Sequence, residues 1–144
     1  MGRVVIRPFW GGDAQFLHIV DVQGYENPWT EEEIAKKGYN IHTLSVDDRP
    51  EGYVCLEPVG NTARLLRLVV STKYRRQGLG SRLMVFALTE VSNFQKITTI
   101  VPETNLDAQC FLRYHDWKCV NVLRHHFQVC GRLEDGLYFL RKLA

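Results

Sequence analysis

The hydrophobic and polar positions change period several times along the chain, and each change marks an element. Val4-Val5-Ile6-Arg7-Pro8-Phe9 is a short β-branched run. It predicts a strand, ended by Gly11-Gly12. Asp13 is a good N-cap, and Phe16, Leu17 and Val20 follow at helical spacing, so a helix is expected to about Val22. Gly24 to Pro28 reads as a loop. Thr30 and Glu33 have the spacing of a capping box, which opens a short helix to Lys37. Its glutamates, Glu31, Glu32 and Glu33, lie in the first turn, where the dipole favours them, and Gly38 is expected to stop it.

From Asn40 the period becomes two. Ile41, Thr43 and Ser45 alternate with His42, Leu44 and Val46, giving a strand. Asp47 to Gly52 is a turn cluster, Tyr53 to Leu56 the next strand, and Pro58 to Asn61 another turn. Thr62 to Val70 is a longer strand. Three strands joined by short turns imply an antiparallel meander. Leu79, Leu83, Phe86, Ala87, Val91 and Phe94 then recur at helical spacing, with Met84, Val85 and Leu88 widening the apolar face. Lys96 to Val101 is a strand again. A strand, a helix and a strand imply a right-handed crossover and a parallel pair. Pro102 has no N–H to donate, so sheet pairing is expected to fail there. If the two strands part, backbone groups near Leu68, Val69 and Val70 are left for an extended ligand. Asn105 to about Tyr114 predicts a short helix. Lys118 to Val129 and Gly136 to Leu143 read as two final strands around a turn, Gly131 to Gly136.

Between the Thr62 strand and the long helix lies Arg75-Arg76-Gln77-Gly78-Leu79-Gly80. The first N–H groups of a helix have no intrahelical partner, and the macrodipole places partial positive charge there. Glycines admit a ligand close to the backbone, and arginines add charge for phosphate oxygens. The stretch therefore reads as an anion cradle, suited to a pyrophosphate.

Composition adds limits. The chain has 144 residues, 45% of them hydrophobic, which predicts one domain over residues 1–144 with a sizeable core. Its 18 Lys and Arg against 16 Asp and Glu leave a net charge of +2, which gives no general case for nucleic acid. No apolar run reaches the ~18–20 residues of a membrane span, and Met1 to Phe9 lacks a signal-peptide region, so a cytoplasmic location is expected. Cys55, Cys110, Cys119 and Cys130 form no C-x-x-C pair and read as buried free thiols. With His115, His125 and His126 they fit no common zinc module, so no metal is expected.

Two motifs together resemble the GNAT superfamily of acetyl-CoA-dependent N-acyltransferases. Arg75, Gly78 and Gly80 fill that family's Gln/Arg-x-x-Gly-x-Gly/Ala motif. Asn105-x-x-Ala108-x-x-Phe111, followed by Trp117, is similar to its Asn-x-x-Ala-x-x-Leu/Phe motif. Asn27-Pro28-Trp29-Thr30-Glu31-Glu32 looks like a Pro-Trp-Ser/Thr-Glu stretch of the branch that acetylates ribosomal-protein N-termini. The resemblance implies a mixed α/β (α+β) fold: about seven mostly antiparallel strands, a parallel splay between the fourth and fifth, and about four helices. It implies acetyl-CoA as co-substrate. Backbone of Leu68, Val69 and Val70 would hold the pantetheine arm. Backbone N–H groups of Arg76, Gln77, Gly78, Leu79, Gly80 and Ser81 would hold the pyrophosphate, with the Arg75 side chain beside them. Asn105 would hydrogen-bond the pantetheine, and Phe111 would pack near it.

The catalytic groups depart from the pattern. The family's usual tyrosine acid falls at Leu112, and the glutamates that its branches use as base fall at Ile100 and Arg64. Glu103 is the best local candidate for a base and Tyr114 for an acid, with Glu57 behind them; solvated carboxylates and a packing tyrosine are the plainer readings. The acceptor side of the family would be built here by Gly24 to Gly38 and Gly131 to Gly136. Acidic residues of the first segment could attract a cationic amine, or simply start a solvated helix. The leading expectation is an N-acetyltransferase moving an acetyl group to a primary amine directly in a ternary complex, as a monomer or homodimer. The other is a CoA-binding module with weak or no catalysis, acting as sensor or protein partner.

Overall fold

The computed structural model describes residues 2–143. Seven strands and four helices follow in the order β1 (Val4–Pro8), α1 (Ala14–Gly24), α2 (Glu31–Lys36), β2 (Ile41–Val46), β3 (Arg49–Val59), β4 (Thr62–Val70), α3 (Leu79–Glu90), β5 (Lys96–Pro102), α4 (Leu106–Tyr114), β6 (Lys118–Val129) and β7 (Arg132–Lys142). The strands form one mixed sheet in the order β1-β2-β3-β4-β5-β7-β6. The β4–β5 pair is parallel, as the helical crossover requires. The described residues divide into two compact units, residues 2–57 with 65–89, and residues 58–64 with 90–143.

In the first unit, Leu17, Val20, Ile34, Ile41, Tyr53 and Cys55 form a closed core, with Phe9, Tyr25, Trp29 and Leu66 packed against it. The β2–β3 turn is tighter than the Asp47 to Gly52 cluster suggests. Asp47 and Asp48 both take positive φ, the conformation of a two-residue hairpin turn. Arg49 to Gly52 therefore belong to β3. Ser45 faces Pro50 and Leu44 faces Gly52, so Glu51 is the extra residue of a bulge, which tolerates the proline beside it. Gly38 does not cap α2 by a left-handed turn. A Cβ there would stand 2.6 Å from the Phe9 ring, so the glycine is needed for close packing. Asp13 likewise does not cap α1 with its side chain. It is buried and accepts hydrogen bonds from Arg7, from the Trp10 N–H and from the Thr43 hydroxyl.

In the second unit, Ile97, Leu112, Trp117 and Phe139 are buried. Pro102 does not end pairing as expected; it stands in register with Gly136 of β7. The Glu103 N–H donates to Asp135 of the β7 side, and backbone groups alternate along a strand, so the N–H that Pro102 lacks would face the other edge. The final turn is also shorter than the Gly131 to Gly136 loop expected. Cys130 and Gly131, both at positive φ, make a two-residue turn, and β7 already begins at Arg132. Three of the cysteines, Cys110, Cys119 and Cys130, are exposed, and only Cys55 is buried. Cys119 and Cys130 lie in β6 and its turn, at the sheet edge, where no neighbouring strand covers them.

Candidate functional site

The Arg75 to Gly80 stretch joins the end of β4 to the start of α3, as its sequence predicts. Its geometry comes from two backbone reversals. Arg76 has φ +62° and Gly78 φ +78°. A left-handed conformation is ordinary for glycine and uncommon for arginine, and such outliers gather where backbone N–H groups are turned toward a ligand. α3 then begins at Leu79, with the Arg82 N–H donating to the Gly78 carbonyl at 3.1 Å. A Cβ on Gly78 would meet nothing within 4 Å, so the space over this backbone is open. Arg75, Arg76, Gln77 and Gly78 are exposed; Leu79 is buried, and Gly80 and Ser81 are half-buried. The Arg75 guanidinium lies beside Gly24, with Nη2 3.8 Å from the place a Cβ would take there. Gly24 is the last residue of α1, where the dipole is negative.

The edge of β4 before the cradle is set by its other neighbour. The Ser71 N–H donates to the Glu51 carbonyl at 2.7 Å. Backbone groups alternate, so Val69 and Ser71 face β3 while Leu68 and Val70 face the opposite edge. Among the described residues, β5 pairs with β4 at Thr62, Ala63 and Arg64. The amides of Leu68 and Val70 therefore have no partner from the β5 register. Leu68 hydrogen-bonds through its backbone with Tyr25, whose hydroxyl burial pushes its pKa up, partly opposed by Arg67.

Arg67, visible in the sequence only as a charge interrupting an apolar strand, organises the segment between α1 and α2. Its guanidinium lies 3.7 Å over the Tyr25 ring and 4.6 Å from that of Trp29. Nη2 donates to the Asn27 carbonyl at 2.9 Å and stands 3.9 Å from Asp21 Oδ2. Asp21 is fully buried and accepts from the Tyr53 hydroxyl at 2.6 Å and the Trp29 N–H at 2.8 Å. Trp29 is thus packing and hydrogen-bonded structure. Glu33 completes the capping box with Thr30, which leaves Glu31 and Glu32 as exposed carboxylates of α2.

The remaining candidates lie in the second unit. Asn105 caps α4, its Oδ1 accepting from the Ala108 N–H at 3.1 Å, which leaves the side-chain amide to donate. Phe111 is half-buried, its ring meeting that of His115 at 4.8 Å. Leu112 is 4% exposed and Tyr114 79%, so the two point to different sides of α4, as their spacing dictates. The Tyr114 ring stands edge-on to His115 at 5.1 Å. Burial, aided by Arg141, holds the His115 pKa below the usual histidine value. Glu103 ties three elements together. Its N–H donates to the Asp135 carbonyl at 3.0 Å, its carbonyl accepts from Gln109 at 2.8 Å, and Oε1 accepts from the Asp135 N–H at 3.5 Å.

A strand, a left-handed basic turn and a helix start, followed by an asparagine-capped helix after the fifth strand, define an acyltransferase fold of one recognisable kind. The chain belongs to the family described as acetyltransferase (GNAT) domain, which it matches over residues 37–119. No curated protein matches its sequence. Solved structures match over nearly all of it. The ribosomal-protein-S18-alanine N-acetyltransferase from Escherichia coli is 18% identical, with a TM-score of 0.89 over 99% of this chain and 95% of that one. Ard1 from Thermoplasma volcanium is 18% identical, with a TM-score of 0.90 over 98% of each chain. Arabidopsis thaliana NAA60, solved with a bisubstrate analogue, is 16% identical, with a TM-score of 0.85 over 97% of this chain and 98% of that one. At these identities the likeness is one of fold.

Proposed function

We propose that this acetyltransferase moves an acetyl group from acetyl-CoA to a primary amine by direct attack in a ternary complex. The observation that carries the reading is the left-handed pair Arg76 and Gly78 at the head of α3, within the matched family region. There the N–H groups from Arg76 to Ser81 would take the pyrophosphate, while the edge amide of Val70 and the edge carbonyl of Leu68, whose amide is held by Tyr25, suit an extended arm. The residues present fit such a ligand: the cradle is open, basic and free of carboxylates from Ser71 to Leu88. Asn105 and Phe111 are the second unit's proposed contributions.

The chemistry asks little of side chains. An amine attacks the thioester carbonyl carbon, the C–N bond forms and the C–S bond breaks. The amine proton leaves and the CoA sulfur departs as thiol. The Val70 N–H is the proposed donor to the carbonyl oxygen. Glu103 and Tyr114 are the proposed proton acceptor and donor. General acid or base help is worth roughly 10²–10⁴-fold, so positioning alone leaves a slower enzyme.

The test is thiol release from acetyl-CoA with pooled amines and N-terminal peptides, beside CoA binding. Turnover supports the reading; CoA binding without turnover across broad pools favours a binding module. Gly78→Asp places a negative charge in the cradle where an added Cβ meets no atom within 4 Å, so its cost to the free protein is the backbone strain of φ +78°. It should abolish CoA binding while the variant stays folded, and unchanged affinity would remove the pyrophosphate from this site.

A further inference from the structure

The β6–β7 hairpin holds one buried carboxylate oxygen that its surroundings do not use. Glu134 is 4% exposed, and its Oε1 has no hydrogen-bond partner. Its neighbours in the fold are engaged. Asp135 Oδ1 accepts from the His125 N–H at 3.0 Å, and Oδ2 stands 3.7 Å from the Arg124 guanidinium. Glu103 Oε1 accepts from the Asp135 N–H. Among the described residues no basic side chain pairs with Glu134. A buried polar oxygen without a hydrogen-bond donor is costly until a partner supplies one.

The hairpin backbone is shaped around the same face. Leu123 faces Gly136 and Phe127 faces Glu134, so Arg124, His125 and His126 together stand against Asp135. Such a bulge re-aims side chains, and His125 takes φ +53° to make it. It lays His126 over Gly136. A Cβ on that glycine would stand 3.0 Å from His126 Cβ and 2.8 Å from Ile100 Cγ2. Strand alternation puts Glu134 on the face of Gly136, with Phe127 directly across from it. The Phe127 and His126 rings meet edge to face at 4.8 Å. A lone carboxylate flanked by an aromatic ring suits an alkylammonium, which needs one anionic acceptor and is also drawn to ring faces. A divalent metal ion would need more oxygens.

We propose that Glu134, with Phe127 beside it, is an ammonium-binding subsite that selects acceptors carrying a positively charged alkylamine. Its role in acceptor choice rests on the acetyltransferase reading above; binding of the cation does not. The experiment is thermal unfolding of the full chain with 1,4-diaminobutane, with 1,4-butanediol and with sodium chloride at matched ionic strength. It is run on the native protein, on Glu134→Gln and on Glu134→Met. The diamine should raise the melting temperature of the native protein while diol and salt do not. Both variants should melt no lower than the native protein and should bind the diamine roughly tenfold or more weakly. An equal diamine response in native protein and variants, no response in the native protein, or variants that melt several degrees lower would each overturn the subsite. CoA-induced stabilisation in the same series reads the cradle separately: its loss with the diamine response intact would overturn the cofactor reading and leave the subsite standing.

Discussion

Gly52 shows how much a single position can hold. A Cβ there would lie 2.8 Å from the Val69 carbonyl oxygen and 3.3 Å from Val70 Cα, both backbone atoms that cannot swing aside. Gly52→Ala should therefore push β3 from β4 where the proposed cofactor edge begins. A loss of about 1–3 kcal/mol is expected in denaturant unfolding, with weaker CoA binding. Cys55 makes a second residue-level prediction. Burial pushes its thiol up to about 12, whereas Cys110, Cys119 and Cys130 are exposed. A thiol reagent at pH 8 should count three groups in the folded protein and the fourth only in denaturant; rapid modification of Cys55 would contradict its burial. The sequence suggests four buried free thiols, and for Cys110, Cys119 and Cys130 the structure corrects this. For Cys119 and Cys130 the exposure depended on strand order, since β6 is the sheet edge.

At the scale of elements, the α1–α2 segment is held by one side chain from β4. Arg67 touches Tyr25, Trp29, Asn27 and Asp21. Arg67→Met keeps much of the apolar stem but removes the charge that faces buried Asp21. A loss of about 3 kcal/mol is expected, with protease cleavage moving into residues 25–30. Cleavage and stability both unchanged would mean that the segment is held by Asp21 and its Tyr53 and Trp29 bonds alone. The α2 capping box was legible in the sequence because both partners lie within one turn. The Arg67 cluster was not, because its members are gathered by the fold from residues 21–67. The same reason explains Pro102. Its missing N–H was visible, but which edge it would face depended on the pairing with β7.

For the whole molecule, acid sensitivity has a definable source. Burial raises the Asp13 pKa, but hydrogen bonds from Arg7, Trp10 and Thr43 outweigh it, and the folded value lies below the usual carboxylate value. A depressed folded pKa means that the stabilisation is complete above the unfolded value and is lost as pH falls through the folded one. His115 acts in the same direction at milder pH. Its folded pKa is lowered, so the unfolded chain binds protons first and stability declines as pH drops below about 6.5. Melting temperature should thus fall in two stages, and Asp13→Asn should be less stable at pH 7 with the steep stage below pH 4 reduced. A variant with the native acid profile would remove Asp13 as the source.

The sequence by itself determined the element order, the parallel crossover and the place of the basic glycine turn between β4 and α3, because these rest on local periodicity, capping and glycine placement. It also showed that Leu112 and Ile100 stand where the family's acid and base are expected. Only the tertiary structure decided that Arg76 shares the left-handed turn with Gly78, that Arg67 fastens the α1–α2 segment, and that Glu134 is buried with its Oε1 unpartnered. The first is a backbone conformation that an arginine rarely takes and so does not announce; the other two depend on ladder register or on contacts between distant residues, and a one-residue change in register would turn the same side chain to the other face.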